Sequence, residues 1–188
     1  MVNTYKPKLT LLQQEILRLF FIKAGVSFNQ RQIANLLEVS PPAVMKALPK
    51  LEKEGFITLK QGKETRRWSI ELNRNSSKVI QLKRVDNLRL IYNSGLLDLL
   101  YNGFPGCTIV LFGSYSRDED MFSEDEEIRS DIDIAIIGTK GKPADLTKFN
   151  KLLERTITLN FYKSWREIHK HLKDSILNGI VLSGIIEL

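Results

Sequence analysis

Residues 40–59 read SPPAVMKALPKLEKEGFITL, and they carry the strongest fold signal in the N-terminal half. Ser40 is a common helix-capping residue, and the prolines that follow it are tolerated in a first helical turn. Apolar residues then recur at helical spacing, at Val44, Ala47, Leu48 and Leu51. The pattern predicts a helix from Ser40 to Glu54 that buries one face and ends before Gly55.

Two shorter helical patterns precede this stretch. From Thr10 to Ala24 apolar residues recur with a helical period, and Gly25 follows as a stop. Asn29, with Gln32 three residues later, forms a capping box for a second, short helix. A brief turn separates this helix from the third one, so a helix-turn-helix is predicted.

A β-hairpin is predicted after the third helix. Ile57 and Leu59 alternate with polar residues, and residues 68–72 repeat that alternation across a loop around Gly62. Three helices followed by a hairpin resemble a winged helix-turn-helix domain, here over residues 1–76. The resemblance implies DNA binding, with the third helix in the major groove and the hairpin on the backbone or in the minor groove.

The charge distribution favours the same interpretation. Residues 1–80 contain 14 Lys and Arg against 6 Asp and Glu, a net charge of +8, whereas residues 81–188 contain 14 against 16. Basic side chains release counterions when they neutralise phosphates, so the N-terminal half is the candidate nucleic-acid surface. The candidate DNA-binding residues belong to the third helix and the hairpin: Ser40, Lys46, Lys50, Lys60, Lys63, Arg66 and Arg67.

Two features leave this interpretation open. Lys46, Lys50 and Lys53 share one helix face, but such a face is often only solvated, and winged helices also dock proteins. Pro49 lies in the middle of the predicted helix, where a proline removes a hydrogen bond at a cost of about 3 kcal/mol. Pro49 is therefore expected to bend the helix or to end it early.

The polar segment 73–78 predicts that the second domain begins at the boundary after residue 76 and comprises 77–188. Its leading linker, residues 79–101, is apolar at helical spacing, which predicts one or two helices interrupted near Ser94 and Gly95. Such a segment either joins the domains or forms the seam of a homodimer.

Two runs of β-forming residues dominate the C-terminal half, CTIVLF at 107–112 and SDIDIAII at 130–137. In the second run Asp131 and Asp133 project from one face of the strand, while isoleucines project from the other. Two neighbouring carboxylates on a buried strand repel each other, and a divalent cation such as Mg²⁺ relieves that repulsion. The sequence therefore predicts a metal site on this strand.

Gly113 and Ser114 follow the first run directly and suit a phosphate site. Glycine permits close backbone approach, and serine adds a hydroxyl and an amide at a helix start. Together, LFGSYSR at 111–117 and SDIDIAII at 130–137 resemble the active-site signature of the DNA polymerase β-like nucleotidyltransferase superfamily. The resemblance implies an α+β chain whose second domain is a nucleotidyltransferase-like mixed sheet with flanking helices.

That resemblance also implies a reaction, the transfer of a nucleoside monophosphate from a nucleoside triphosphate (NTP) to an acceptor. Asp131 and Asp133 would be catalytic and would hold Mg²⁺ or Mn²⁺. Gly113, Ser114 and Arg117 would bind the nucleotide. The acceptor and a possible protein partner are left open by the sequence.

Three departures from the family pattern matter. Asp118 stands where a glycine commonly follows the arginine, and the interval from Ser114 to Asp131 is longer than usual. The insert is rich in acidic residues, which predicts a solvated and mobile loop: Asp118, Glu119, Asp120, Glu124, Asp125, Glu126 and Glu127. The third carboxylate expected on a later strand is missing from TITLNFY at 156–162, where Asn160 is the remaining candidate metal ligand and cannot act as a base.

Helical patterns at 143–155 and after Ser164 are expected to cover the sheet. Ser164 with Glu167 makes a capping box for one last helix, on which His169 and His171 would point in different directions. The apolar end of the chain is either a last strand or an oligomer contact.

Composition excludes several classes of protein. The apolar stretches are far shorter than the roughly 20 residues of a membrane-spanning helix, and no signal-peptide pattern opens the chain, so a cytoplasmic protein is expected. Cys107 is the only cysteine, so no internal disulfide forms. Three functions remain. The first is a DNA-binding nucleotidyltransferase, and the second is a DNA-binding transcriptional regulator or antitoxin-like protein whose degenerate transferase domain binds a nucleotide or a partner. In the third, neither site is used and both domains serve assembly.

Overall fold

The computed structural model describes residues 8–61, 68–125 and 128–186. The chain divides into two compact units, Met1–Ile80 and Gln81–Leu188. The boundary expected after residue 76 falls at the start of a helix, α4 (Ser77–Asn93), which continues into the second unit.

Three helices open the first unit, as the sequence predicts. They are α1 (Leu11–Ile22), α2 (Gln30–Leu36) and α3 (Pro41–Lys53). Capping boxes at Thr10 and Asn29 begin α1 and α2, and the reciprocal partners are the side chains of Gln13 and Gln32. These bonds satisfy backbone donors that a helix start leaves without partners, so both starts are encoded locally.

The predicted β-hairpin follows α3. β1 (Ile57–Gln61) pairs antiparallel with β2 (Trp68–Leu72), with Leu59 opposite Ile70. Phe28 adds an antiparallel bridge to Ile70, and its backbone nitrogen donates to the Ile70 carbonyl at 3.0 Å. Three helices and a hairpin joined in this order form a winged helix-turn-helix, which confirms the fold predicted for this half.

Pro49 does not end α3, which runs for 13 residues through it. The proline lies on the exposed side of the helix. The opposite side packs into the core of the first unit against Ile16 and Phe20, and it consists of Val44, Ala47, Leu48 and Leu51. Burial of these side chains stabilises the helix by more than the roughly 3 kcal/mol that a central proline costs, so the expectation of an early end is wrong.

Among the described residues, the second unit contains most of α4 and the elements that follow it. These are α5 (Leu96–Gly103), β3 (Thr108–Phe112), α6 (Gly113–Arg117), β4 (Ile132–Ile137), α7 (Thr147–Leu153), β5 (Ile157–Tyr162), α8 (Lys170–Leu177) and β6 (Ile180–Ser183). Gly95 separates α4 from α5 with a left-handed φ of +79°, which confirms the predicted interruption. No helix among the described residues is long and apolar enough to cross a membrane.

The four strands form one mixed sheet in the order β5, β4, β3, β6. β3 is antiparallel to both β4 and β6, whereas β4 and β5 are parallel. One face of the sheet, including Ile132, Ile134 and Ile136, packs with residues of α5 and α7. The other face, which includes Ala135, packs with residues of α8. Because strand residues alternate, Asp133 lies on the α8 face, opposite the isoleucines as predicted.

The helix predicted after Ser164 is divided. A 3-10 turn at Trp165–Glu167 precedes α8, and Ile168 between them is extended and buried. Ser164 makes no capping bond, because the chain leaves the helical path to place Ile168 in the core. His169 therefore lies before α8, and the centroid of its ring is 5.3 Å from that of His171. The expectation that the two side chains point in different directions is wrong.

Candidate functional site

α3 carries a row of lysines on the side turned away from the core. Lys46, Lys50 and Lys53 are all exposed. Spacings of four and three residues place their side chains along one line of the helix surface. Lys50 also donates a hydrogen bond to the backbone carbonyl of Lys8. An ammonium group has three donors, so that bond leaves Lys50 able to contact a phosphate.

Two of the other residues predicted to bind DNA lie within the part of the chain that the structure describes. Ser40 is the exposed N-cap of α3, and its side chain makes no capping bond. Lys60 Nζ lies 3.2 Å from Glu71 Oε2, but both side chains are exposed, so the pair is screened and contributes little. The remaining three lie outside the described residues: Lys63, Arg66 and Arg67.

A second candidate site lies where β3 ends beside β4. Phe112 pairs with Asp133, so the turn at Gly113 begins directly against the Asp133 carboxylate. Gly113 has a φ of +76°, in the left-handed region, and a Cβ at this position would overlap Asp133 Oδ2. Glycine is therefore required here both by the backbone conformation and by the close approach of the carboxylate.

Ser114 and Arg117 belong to α6, the short helix that follows this turn. Ser114 is partly exposed. Arg117 is engaged by Glu119, whose Oε2 lies 3.0 Å from both Nε and Nη2 of the guanidinium. Arg117 reaches a phosphate only after leaving Glu119, and that exchange is feasible because an exposed ion pair contributes at most about 1 kcal/mol.

Asp131 lies directly before β4, and Thr158 Oγ1 donates to Asp131 Oδ2 at 3.4 Å. The parallel register pairs Asp133 with Thr158 and pairs Ala135 with Asn160. Thr158 is therefore the β5 side chain nearest the carboxylates, and Asn160 lies one pair further along the sheet.

Asp131 and Asp133 are two neighbouring carboxyl groups at the start of β4. Burial raises the pKa of the Asp133 carboxyl, and the charge of Asp131 raises it further. Within the described ranges, neither carboxylate forms a salt bridge with Lys or Arg. In the same part of the chain no three His, Cys, Asp or Glu side chains form a metal cluster. A cation at this place would thus be held by two carboxylates, with the Thr158 hydroxyl beside them.

Asp120 contradicts the expectation of a solvated acidic insert. Its side chain is 1% exposed and forms salt bridges with Lys83 and, at 3.2 Å, with Arg155, which are 3% and 2% exposed. Asn87 Nδ2 lies 3.0 Å from both Asp120 Oδ1 and the Tyr115 carbonyl. We call Lys83, Asn87, Asp120 and Arg155 the buried ion cluster. It joins α4, the chain after α6 and the chain before β5.

The rest of the described insert is also anchored. Phe122 lies beneath the guanidinium groups of Arg129 and Arg155, 4.5 and 5.3 Å from its ring centroid. Ser130 exchanges two hydrogen bonds with the backbone of Met121, at 3.0 and 3.1 Å. Among the described acidic residues of the insert the exposed ones are Glu119, Glu124 and Asp125. The expectation that the whole block is solvated is therefore wrong.

Sequence reasoning missed the buried ion cluster, although α4 held a signal of it. Lys83 and Asn87 lie one helical turn apart, on the same face as the buried Ile91. Polar residues within an apolar helix face indicate a buried partner of opposite charge. The partner, Asp120, was hidden inside a run of acidic residues.

Asp118 borders the buried ion cluster. Burial raises the pKa of its carboxyl to about 7, against the opposing charges of Lys83 and Arg84. Its Oδ1 is buried without a hydrogen-bond partner among the described residues. The pKa is higher in the folded than in the unfolded chain, so ionisation of Asp118 destabilises the fold. The free energy of unfolding therefore carries no such penalty below about pH 4, and the penalty grows as the pH rises towards 7.

We expect Asp118→Asn to raise the melting temperature at pH 8 by roughly 2–4 °C and to give no such gain at pH 4. Asparagine does not ionise, and it tolerates the left-handed φ of +65° found here. Thermal unfolding followed by circular dichroism checks this, with the exposed Asp174→Asn as the control. A gain of equal size at both pH values would contradict the expectation.

Comparison with known proteins gives a likeness to solved structures only. No protein-family model matches the chain, and no curated protein matches it. A mutant of ZitR from Lactococcus lactis has a TM-score of 0.41 and 24% identity, covering 54% of this chain and 66% of that chain. The adhesin competence repressor of Streptococcus pyogenes gives 0.40 and 21%, covering 52% and 69%. The MepR–DNA complex of S. aureus gives 0.38 and 21%, covering 50% and 77%.

At these TM-scores and identities the likeness carries no conclusion about function. The winged helix is established by the three helices, by the register of β1 with β2, and by the bridge from Phe28 to Ile70. The mixed sheet of the second unit is likewise established by its own strand order.

Proposed function

We propose that the first unit binds double-stranded DNA through α3 and that the chain acts as a DNA-binding regulator. The observation that carries this proposal is the exposed row of Lys46, Lys50 and Lys53 on the outer side of α3. In a helix-turn-helix that helix enters the major groove. Lys60 on β1 is a further exposed cation of the first unit, where it pairs with Glu71. The net charge of +8 on residues 1–80 adds affinity through counterion release.

Replacing Lys46, Lys50 and Lys53 by alanine is expected to weaken DNA binding and to flatten its salt dependence. The slope of log K against log salt is negative, and each lost phosphate contact reduces its magnitude by about 0.9. Three lost contacts therefore reduce the magnitude by about 2.7. The measurement is fluorescence anisotropy of a labelled duplex of about two helical turns, between about 50 and 200 mM KCl.

The matched control removes the same charge from the other unit. Lys140, Lys148 and Lys151 are exposed and belong to the second unit, so replacing all three by alanine lowers the net charge equally. We expect this variant to keep most of the affinity and the slope. Equal losses in the two variants would show that binding follows net charge and that α3 is not the contact surface.

We also propose that the second unit binds an NTP with Mg²⁺ or Mn²⁺. The observation that favours this is the packing of Gly113 against Asp133, which brings the glycine-serine turn and the carboxylates to one place. Hard divalent cations prefer oxygen ligands, and Asp131, Asp133 and Thr158 provide them. Such a cation would neutralise charge on the triphosphate. Gly113 and Ser114 would hold the phosphates through their backbone, with Arg117 as a further contact.

The residues of β5 favour nucleotide binding over efficient transfer. Its polar side chains on the carboxylate face are Thr158, Asn160 and Tyr162. Thr158 and Asn160 do not act as general bases. Burial and the charge of Asp133 raise the pKa of the Tyr162 hydroxyl, which keeps it protonated and unable to accept a proton. Without a base the acceptor hydroxyl keeps its proton, so we infer that transfer of a nucleoside monophosphate is slow or lost. The combination favours a DNA-binding regulator with a nucleotide-binding unit over an efficient nucleotidyltransferase.

Asp133→Asn is expected to lower the Mn²⁺-dependent affinity for NTPs more than about tenfold, because it removes a ligand charge. Calorimetric titration with ATP, CTP, GTP and UTP, beside titration with Mn²⁺ alone, measures the loss, and the exposed Asp174→Asn is the control. Metal binding requires an ionised carboxylate, so wild-type affinity rises as the pH passes the raised pKa of Asp133. Unchanged binding in Asp133→Asn would exclude this site.

A further inference from the structure

α3 has a second exposed row beside the lysines. Pro42, Met45 and Pro49 are exposed, and Met45 has 59% of its surface accessible. Spacings of three and four residues put them in one line along the helix. We call these three residues the apolar row. The apolar row does not pack in the core of the first unit, because the opposite side of α3 makes the core contacts.

The composition of α3 restricts what the helix can recognise. It contains no Asn or Gln, the side chains that most often pair with adenine, and no Arg, so lysine is its only side chain that commonly pairs with guanine. Pro41 and Pro42 have no backbone N–H, so the start of α3 offers few donors to a phosphate. Gln30 Nε2 donates to the Pro41 carbonyl at 2.7 Å and joins α2 to this start. The first turn of α3 is therefore held in place by α2, and it presents an apolar surface to the major groove of a bound duplex.

Building on the proposed DNA binding, we propose that the apolar row recognises thymine. Met45, flanked by Pro42 and Pro49, contacts C5-methyl groups of thymine, the apolar group that bases present in the major groove. The adjacent lysines hold phosphates, contacts that position the protein without selecting a sequence. α3 thus selects A·T-rich duplexes through their methyl groups.

The charges beside the apolar row support DNA as its occupant. Lys46 lies four residues after Pro42 and three residues before Pro49, spacings that make them neighbours on the helix surface, so any partner of the apolar row is also brought against ammonium groups. A DNA groove combines both features, because its walls are lines of phosphates and its floor carries the thymine methyl groups.

The test removes the methyl group and nothing else. The affinity of the whole chain is measured by anisotropy for hairpin duplexes of alternating dA-dT and of alternating dA-dU, which differ only at the C5 position. We expect the dA-dU duplex to bind about fourfold more weakly for each methyl group that is buried. A second pair, alternating dG-dC with and without 5-methylcytosine, adds the methyl group, and the methylated duplex is expected to bind more tightly.

Two variants assign the effect. Met45→Ala keeps the lysines and is expected to bring the dA-dT and dA-dU affinities within about twofold of each other. Leu11→Ala, which shortens an apolar side chain 72% exposed on α1, is expected to keep the wild-type ratio.

Three results would overturn parts of the argument separately. Equal binding of dA-dT and dA-dU by the wild type overturns thymine recognition and leaves DNA binding by α3 intact. An unchanged ratio in Met45→Ala overturns the role of the apolar row. A lack of binding to every duplex overturns the proposed DNA binding itself and favours a protein partner for the apolar row.

Discussion

Replacing Asp120 by alanine is expected to lower the free energy of unfolding of the second unit by about 3–5 kcal/mol. The carboxylate is almost completely buried and neutralises two buried cations, Lys83 and Arg155. Burial already lowers the pKa of the Lys83 ammonium, and Asp120 is the main charge opposing that change. Without Asp120 both cations stay buried with no carboxylate between them, which costs more than the loss of a neutral hydrogen bond.

Urea unfolding followed by the fluorescence of Trp165 measures this loss. Trp68 is the only other tryptophan and belongs to the first unit, so a Trp68→Phe background leaves a reporter of the second unit alone. Glu119→Ala is the matched control, since this neighbouring carboxylate forms only an exposed pair with Arg117 and is expected to cost less than about 1 kcal/mol.

A loss of 3–5 kcal/mol approaches the whole stability of a small domain, so the alanine variant is expected to be partly unfolded even without urea. Asp120→Asn keeps an oxygen acceptor and much of the shape, and its smaller loss stays measurable. Similar unfolding midpoints for the variants at Asp120 and at Glu119 would show that the buried ion cluster does not stabilise the unit.

Gly113→Ala is expected to have the second largest effect. The left-handed backbone alone costs a side chain about 1–2 kcal/mol. The added Cβ also overlaps Asp133 Oδ2, so the carboxylate or the turn must move, at a further cost of about 1–3 kcal/mol. If the proposed nucleotide site is correct, this displacement also abolishes metal-dependent binding of NTPs.

Gly106→Ala separates the two causes. Gly106 has a φ of +77°, close to that of Gly113, but a Cβ there meets nothing within 4 Å. Its urea midpoint therefore reports the backbone cost alone, and the additional loss in Gly113→Ala reports the contact with Asp133. Equal losses in the two variants would mean that the carboxylate moves aside without cost.

The buried ion cluster and the candidate nucleotide site are linked through α6. Asn87 donates to the carbonyl of Tyr115, within α6, and Asp120 holds the chain shortly after that helix ends. Ser114 lies in the same short helix. We therefore infer that the buried ion cluster positions the glycine-serine turn through its contacts with α6 and does not itself contact a ligand.

Local signals were sufficient for most of the fold. The capping boxes at Thr10 and Asn29, the interruption at Gly95 and the alternation in β1 and β2 all act over a few residues, so each is visible in the sequence. The placement of Asp131 and Asp133 on one sheet face follows in the same way from the period of two in a strand.

Local signals failed where a distant contact outweighed them. The capping box at Ser164 did not form, because burial of Ile168 draws the chain out of the helix. Pro49 did not end α3, because the apolar face of that helix packs in the core. In both cases tertiary burial contributes more free energy than the local preference, whose size is about 1–3 kcal/mol.

Periodicity and caps depend on neighbouring residues, so the sequence predicts the order of the elements, the winged helix and the side of the sheet on which the carboxylates lie. The solvation of individual charged residues depends instead on contacts that form when the chain folds. Asp120 and Glu119 are adjacent acidic residues, yet one is buried between Lys83 and Arg155 and the other is exposed. The difference arises because Asp120's counterions come from positions more than thirty residues away on either side, and folding alone brings them together.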